Sequence, residues 1–251
     1  MNIGIFDSGI GGMSVLHQAL ATLPHENYIF YADTDHVPYG TKTKDQVISY
    51  VDEMIQFMLS HNCKAVVIAC NTATSAAASI MRQKYTIPII GIEPAVKPAV
   101  FCMDHPRVLV MATPMTIHAE KFHKLMDRYA DDATIIPLPC PGLMDFVERG
   151  DLDGEDLHKY LNELLYSYRD HKVDAAVLGC THYPFAREQI QSVLGEEVRI
   201  FDGGEGTARE MRRRLAESGL LRDEQRKGTI CFENSQTDGK KIELCKMLLD
   251  L

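Results

Sequence analysis

The chain lacks several features that would assign it to a specialised class of protein. Its 251 residues contain no Cys-x-x-Cys pair and no run of 18 apolar residues, so neither a structural zinc site nor a membrane-spanning helix is expected. The opening residues MNIGIFDSGIGG show no basic segment followed by an apolar stretch, so no secretory signal is expected. Seven irregularly spaced cysteines indicate free thiols in a reducing, cytoplasmic setting.

Positive charge is also scarce. The chain has 35 acidic and 26 basic residues, for a formal net charge of −9. An acidic balance favours solubility and argues against nucleic acid as the main partner. With 45% hydrophobic residues, the chain can bury the core of one large domain or of two smaller ones.

Short apolar runs alternate with amphipathic stretches along most of the chain. The predicted strands are residues 2–6, 28–32, 65–69, 87–92, 107–112, 134–137, 175–178 and 198–201. The predicted helices include residues 44–61, 116–128, 157–168 and 208–218. Because the strands are apolar without alternation, they should be buried on both faces, as in an α/β fold with mostly parallel sheets.

A weak internal repeat divides this pattern into two halves. AVVIACNTATSAA, from Ala65, resembles AAVLGCTHYPFAR, from Ala175, and the strands before and after each cysteine also correspond in order. The repeat predicts two similar, pseudo-symmetric α/β domains with the active site in the cleft between them. The predicted domains are residues 1–93 plus 207–251, ending in a helix and tail, and residues 94–206. The segment 137–142, PLPCPG, is predicted to be an irregular bend or cleft wall.

Two cysteines, Cys70 and Cys180, follow matching strands of this repeat. Parallel sheets bind ligands beyond the carboxyl ends of their strands, so both thiols are predicted to face a cleft. Inverting a carbon acid requires one group that removes a proton from one face and another that returns a proton to the opposite face. Thiols can do both, because neighbouring groups tune their pKa. Asp7 and His182 are the residues expected to assist the two thiols.

Structural interpretations of the same residues remain open at this point. A cysteine after a buried strand is usually a small core residue, and Asp7 and His182 could have purely structural roles. Glu148 is expected to lie at a solvated helix end. Four polar residues could simply cap the helices that follow them, namely Asn71, Thr72, Thr74 and Thr181. The other five cysteines are interpreted as structural.

Other functions fit the chain less well. It has no G-x-G-x-x-G, Walker or G-x-S-x-G motif, no lysine placed for a Schiff base and no metal-ligand cluster, so neither a cofactor nor a metal is expected. Two alternatives stay open. One is a carboxylate-binding protein whose cysteines are redox-sensitive but not catalytic, and the other is a cysteine hydrolase with a covalent intermediate.

Five motifs together resemble bacterial glutamate racemases, members of the cofactor-independent aspartate/glutamate racemase superfamily. They are DSGIGG at 7–12, VPYG at 37–40, ACNTAT at 69–74, IGIEPAVKPA at 90–99 and GCTHYP at 179–184. The resemblance implies two α/β domains, usually in a homodimer, that interconvert L- and D-glutamate without a cofactor. It also implies that the product D-glutamate supplies peptidoglycan synthesis.

The resemblance also implies roles for individual residues. Cys70 would take the proton from D-glutamate and Cys180 from L-glutamate, assisted by Asp7 and His182 respectively, and Glu148 would support His182. The residues that would contact the substrate are Asp7, Ser8, Tyr39, Gly40, Asn71, Thr72, Thr113, Thr116, Thr181 and His182.

The chain departs from the family pattern in two places. The family commonly has Gly-Thr where this chain has Ala112-Thr113-Pro114, so the loop that carries Thr113 is expected to shift slightly. The chain also lacks the amino-terminal extension of relatives that are activated by a cell-wall precursor, so no such activation is expected.

Overall fold

A computed structural model describes residues 1–224, 226–236 and 239–250. The strands are β1 (Asn2–Asp7), β2 (Tyr28–Ala32), β3 (Cys63–Ile68), β4 (Ile89–Gly91), β5 (Arg107–Ala112), β6 (Thr134–Pro139), β7 (Ala175–Leu178), β8 (Arg199–Asp202) and β9 (Ile230–Asn234). The helices are α1 (Met13–Thr22), α2 (Lys44–Ser60), α3 (Asn71–Lys84), α4 (Val96–Val100), α5 (Pro114–His118), α6 (Glu120–Arg128), α7 (Leu143–Arg149), α8 (Glu155–Leu165), α9 (Arg187–Leu194), α10 (Gly204–Glu217) and α11 (Lys240–Leu249). Short 3-10 turns span Tyr39–Thr41, Tyr166–Tyr168 and Tyr183–Ala186.

The chain forms two compact units. One comprises Met1–Glu93 with Gly204–Leu251, and the other comprises Pro94–Gly203. The first unit holds a sheet in the order β4-β3-β1-β2-β9, and the second holds a sheet in the order β6-β5-β7-β8. Every strand pairing among the described residues is parallel. The predicted α/β class with parallel sheets is therefore confirmed.

The two sheets share one topology, as the internal repeat predicts. The first reads β2-β1-β3-β4 and the second reads β6-β5-β7-β8, with β9 added at the outer edge of β2. In both sheets the chain places its second strand on one side of the first strand and its third strand on the other side. This reversal of direction creates a crevice at the carboxyl ends of the first and third strands.

Helices cover both faces of the sheet in the second unit. Leu109 and Met111 of β5 belong to an apolar cluster that includes Leu161 of α8, whereas Val108 and Val110 belong to a separate cluster. Alternate residues of one strand thus enter two cores, which explains why the strand sequences lack polar alternation. Replacing a fully buried leucine such as Leu161 with alanine should cost about 2–5 kcal/mol.

In the first unit, α2 shows how the local sequence defines a helix. Thr43 caps its start, accepting from the amide of Gln46, while the Gln46 side chain accepts from the Thr43 amide, so two otherwise unpaired amides are satisfied. At four-residue intervals, Val47, Val51 and Ile55 lie on one helical face and are fully buried.

Three predictions about local structure were wrong. Residues 137–139 are not an irregular bend, because Pro137 and Pro139 lie in β6, where they pair with Val110 and Ala112 of β5. As an edge strand, β6 has one side that needs no hydrogen-bond partner, so it tolerates proline. The predicted helix 116–128 is divided at Ala119, which is extended and precedes α6.

The third wrong prediction concerns the segment after α10, which was predicted only as a tail. It contains β9, which pairs with β2 from Tyr28 opposite Ile230 to Ala32 opposite Asn234. This strand is short and only partly buried, so its own residues show no strong apolar pattern, and its pairing joins segments about 200 residues apart.

Candidate active site

Each unit places polar side chains at its own crevice. In the first unit, Asp7 and Ser8 come at the end of β1, and Cys70 follows the adjacent β3. In the second unit, Thr113 follows β5, and Cys180 follows the adjacent β7. The two cysteines therefore occupy equivalent positions in two copies of one topology.

Cys70, a predicted site residue, is also a helix cap. It is buried, and its Sγ accepts from the backbone N–H of Ala73 at 3.4 Å at the start of α3. The hydroxyl of Ser8 donates to the same sulfur at 3.5 Å. A sulfur at the start of a 14-residue helix lies at the positive end of the helix dipole, where negative charge is stabilised.

Asp7 is fully buried beside this thiol site. Its Oδ2 accepts from the backbone N–H of Gly12 at 2.9 Å, which explains part of the requirement for the glycine-rich turn. A Cβ added at Gly12 would lie 2.6 Å from the Cβ of Asp7, so only glycine allows this approach. Asp7 therefore shapes the turn, as the structural interpretation proposed, and it also adds a carboxylate to the electrostatic surroundings of Cys70.

Tyr39 begins the 3-10 turn that also contains Gly40. The phenol is buried and donates to Oδ2 of Asp33 at 2.6 Å. Burial and the Asp33 carboxylate raise the pKa of Tyr39, with further contributions from Cys70 and Asp7. Tyr39 is therefore held as a neutral phenol close to the thiol.

In the second unit, three side chains form a hydrogen-bonded chain. Nδ1 of His182 lies 3.6 Å from Sγ of Cys180, and Nε2 of His182 lies 2.8 Å from Oε1 of Glu148. All three residues are buried. The prediction from the residues alone that Glu148 is a solvated helix end was wrong, because α7 directs this carboxylate inward onto the histidine.

The imidazole of His182 is tuned by two opposing effects. Burial alone would disfavour the charged ring, but hydrogen bonds to Cys180 and Glu148 and the negative charge of both partners raise the pKa of His182 well above its ordinary value. The raised pKa favours the protonated ring, and an imidazolium at this position can stabilise a thiolate on Cys180.

Hydroxyl and amide side chains complete the predicted site residues of each unit. Thr113 caps α5, accepting from the backbone N–H of Thr116 at 3.3 Å and donating to its hydroxyl at 3.0 Å. In the first unit, Cys70 is the residue that caps α3, so Asn71 is left for another role. Thr74 donates to the carbonyl of Ile68, so its hydroxyl braces the end of β3.

Each unit thus brings its own predicted residues to one sheet edge. The first unit holds Asp7, Ser8, Tyr39, Gly40, Cys70, Asn71 and Thr72, and the second holds Thr113, Thr116, Glu148, Cys180, Thr181 and His182. Within the described ranges, no group of three or more histidine, cysteine or acidic residues could hold a metal ion. In the same part of the chain, no helix is both long and apolar enough to cross a membrane.

Comparisons with known proteins assign this arrangement to a family. The family model for Asp/Glu/hydantoin racemases matches residues 7–211. The chain belongs to this racemase family. A glutamate racemase of Clostridium perfringens is 50% identical over 250 residues, covering 99% of this chain and 96% of the relative.

Solved structures of racemases have the same fold. A glutamate racemase isoform of Bacillus anthracis superposes with a TM-score of 0.90 at 29% identity, covering 100% of this chain and 94% of that chain. The enzyme of Francisella tularensis, solved in complex with D-glutamate, has a TM-score of 0.85 at 28% identity with the same coverages. The chain is therefore an amino-acid racemase, an isomerase.

Sequence reasoning missed one buried residue that contacts the predicted site residue Tyr39. Asp33 is 1% exposed, accepts from Tyr39 and contacts Nδ1 of His36 at 2.9 Å. Its backbone N–H also donates to the carbonyl of Asp7 at 3.0 Å, which extends the β1–β2 pairing by one residue. The available signal was an aspartate directly after the predicted strand 28–32, just as Asp7 directly follows the predicted strand 2–6.

Proposed function

We propose that this racemase interconverts L- and D-glutamate, with Cys70 and Cys180 as the two groups that exchange the α-proton. The observation that carries the proposal is the equivalent position of the two thiols in the two units. Each follows the third strand of the same topology, and each has a hydrogen-bonding partner at its sulfur. The names of the full-length relatives support glutamate as the substrate.

In the proposed reaction from the L-enantiomer, the Cys180 thiolate removes the α-proton and the C–H electron pair remains on the α-carbon. The Cys70 thiol then donates its proton to the opposite face, which gives D-glutamate and leaves a Cys70 thiolate. The reverse reaction begins at this thiolate. Proton transfer through the two sulfurs inverts the carbon with no net change in charge or oxidation state.

The assisting groups differ between the two thiols. His182, fixed by Glu148 at 2.8 Å, stabilises the Cys180 thiolate as an imidazolium and holds its ring in one orientation. Cys70 is supported by the start of α3, by the Ser8 hydroxyl and by its Asp7 and Tyr39 neighbours. Asp7 is proposed to assist proton transfer at Cys70, as the family resemblance implies.

The proposed substrate contacts come from both units. In the first unit they are Asp7, Ser8, Tyr39, Gly40, Asn71 and Thr72, and in the second they are Thr113, Thr116, Thr181 and His182. Oδ1 of Asn71 is buried and makes no hydrogen bond with any described residue, so it is an acceptor for the substrate ammonium group. Hydroxyls and helix amino termini suit the carboxylates.

The wider role follows from the same resemblance. We infer a cytoplasmic, homodimeric enzyme that needs no cofactor and supplies D-glutamate for peptidoglycan. Seven free cysteines support the reducing compartment.

The decisive experiment incubates purified protein with L-glutamate, without added cofactor, and follows the circular dichroism signal. We expect the signal to decay to zero, and in deuterated water the product should carry deuterium at the α-carbon. Persistence of the signal with binding of glutamate would identify a binding protein instead. Racemisation of aspartate but not glutamate would change the proposed substrate to aspartate. A covalent acyl adduct seen by mass spectrometry would identify a hydrolase.

A further inference from the structure

The carboxyl end of β9 is fastened to the loop that carries Tyr39. The hydroxyl of Thr34 donates to Oδ1 of Asn234 at 2.7 Å, and the backbone N–H of Asp35 donates to the hydroxyl of Ser235 at 2.8 Å. The backbone N–H of Ser235 in turn donates to the carbonyl of Ala32 at 3.1 Å. Three bonds thus join segments 200 residues apart in sequence.

The anchored loop leads directly to the proposed substrate contacts. Asp33, between Ala32 and the anchored Thr34, accepts the phenol of Tyr39 at 2.6 Å and contacts His36 at 2.9 Å. Thr34 itself is only 4% exposed. Any movement of residues 33–35 is therefore transmitted to Tyr39 through a short hydrogen bond to a carboxylate.

We propose that Asn234 and Ser235 are positioning residues for the substrate side of the first unit. They act through Thr34 and Asp35, which hold Asp33 and hence the Tyr39–Gly40 turn in the orientation that binds glutamate. The inference rests on the proposed function, since Tyr39 and Gly40 are proposed there as substrate contacts. It gives the tail after α10 a role in substrate binding that the residue pattern did not indicate.

The hydrogen bonds made by residues of β9 support a specific anchor rather than general packing. Oδ1 of Asn234 also accepts from the backbone N–H of Gln236 at 2.7 Å, so the amide is fixed by its own chain before it receives the Thr34 hydroxyl. Three residues earlier in the same strand, the exposed thiol of Cys231 donates to the Glu233 side chain and, among the described residues, makes no bond to the loop of residues 33–35. Cys231 therefore offers a matched control outside the anchor.

The test is a double-mutant cycle on full-length enzyme, with KM and kcat for both enantiomers as readouts. Thr34→Val and Asn234→Ala each remove one partner of the same bond, so each should raise KM about fivefold and leave kcat within about twofold. In the double variant the rise in KM should fall well short of the product of the two single effects, because both substitutions remove the Thr34–Asn234 bond, although Asn234→Ala also removes the bond from Gln236. Cys231→Ala should keep the wild-type KM.

Unchanged KM in both single variants, additive effects in the double variant, or a fall in kcat alone would overturn the proposal.

If the double variant does not fold, the pair Ser235→Ala and Ser235→Thr decides instead, since only the second retains a hydroxyl for Asp35. We expect raised KM in the first and recovery in the second. If both keep the wild-type KM, the anchor does not position the substrate. Wild-type protein that fails to racemise glutamate would contradict the proposed function and not this anchor.

Discussion

Nε2 of His182 lies 2.8 Å from Oε1 of Glu148, and the two residues are 34 positions apart in the chain. The contact joins the segment after β7 to helix α7 and fixes the ring whose other nitrogen faces Cys180. The buried carboxylate thereby orients the imidazole and, together with Cys180, raises its pKa against the opposing effect of burial. This relationship leads to two predictions about pH.

Replacing Glu148 with glutamine should move the pH profile of racemisation. Without the carboxylate, burial is less opposed and the pKa of His182 falls, so the alkaline limb of kcat/KM should shift to lower pH. The loss of a charged acceptor should reduce kcat/KM for L-glutamate about tenfold or more. Initial rates by circular dichroism across the pH range give the measurement.

The control for this variant is Glu155→Gln, an exposed glutamate at the start of α8 in the same unit. It should keep both the rate and the pH profile of the wild type. A Glu148→Gln enzyme with an unshifted profile would show that the carboxylate does not govern the imidazole.

His182 should also make folding stability depend on pH. Its pKa is raised in the folded protein, so the protonated ring adds stability that is fully present below the unfolded pKa of about 6.5 and is lost as the pH rises through the raised folded value. Urea unfolding of wild type and His182→Asn should therefore differ most at mildly acidic pH, and the difference should shrink at alkaline pH. A difference that grows with pH would contradict the assigned direction.

Each thiol should be indispensable for racemisation. Cys70→Ala and Cys180→Ala should each lower turnover by on the order of 10³-fold or more, because the carbon can then be reached by a proton-transfer group on only one face. Cys231→Ala, which removes an exposed thiol, is the control. Near wild-type turnover in either active-site variant would exclude the two-thiol mechanism.

Asp33→Asn should weaken substrate binding. The carboxylate accepts from Tyr39 and contacts His36, and loss of a charged acceptor costs about 1.5–3 kcal/mol. We expect KM to rise at least severalfold for both enantiomers. Asp35→Asn, two positions on with an exposed side chain, should leave KM unchanged, and equal effects in both variants would indicate a general charge effect.

Breaking a buried ion pair away from the thiols should destabilise the first unit. Nζ of Lys64 lies 2.6 Å from Oε2 of Glu26, with side-chain exposures of 5% and 2%. Lys64→Met would leave the carboxylate buried without its cation, at a cost of about 3–5 kcal/mol in the free energy of unfolding. Thermal or urea unfolding of the wild type and the variant measures this loss of stability.

The matched control breaks an exposed pair of the same two residue types. Lys124→Met removes the partner of Glu120, a pair 71% and 81% exposed, and should leave the unfolding transition where it was. Equal effects of the two substitutions would mean that burial does not determine how much stability is lost when the Lys64–Glu26 pair is broken.

Residue patterns alone predicted the parts of the site that lie directly after strands. Asp7, Cys70, Thr113 and Cys180 could be found because buried parallel strands are apolar throughout, and the first polar or reactive residue after each one marks the carboxyl edge of the sheet. The repeat then predicted that the two cysteines are equivalent, which the shared strand order confirms.

The contacts between distant segments could not be predicted in this way. Glu148 lies near the end of a short helix, between the buried Val147 and the exposed Arg149, and nothing in its local sequence distinguishes an inward carboxylate from a solvated one. Its role was available only through family resemblance. The end of β9 gave no strong local signal, because its partner Thr34 lies 200 residues away, whereas Asp33 had only its position after a predicted strand to indicate it.

The sequence by itself determined the α/β class, the duplication and the position of each thiol at a strand end. These follow from apolar runs and their spacing, which are properties of neighbouring residues along the chain. Tertiary structure alone decided which carboxylates are buried beside those ends and which strand closes the edge of the first sheet. Contacts made on folding raise the pKa of His182 against the effect of burial and orient Tyr39, because electrostatic tuning depends on what the folded chain brings within a few ångströms.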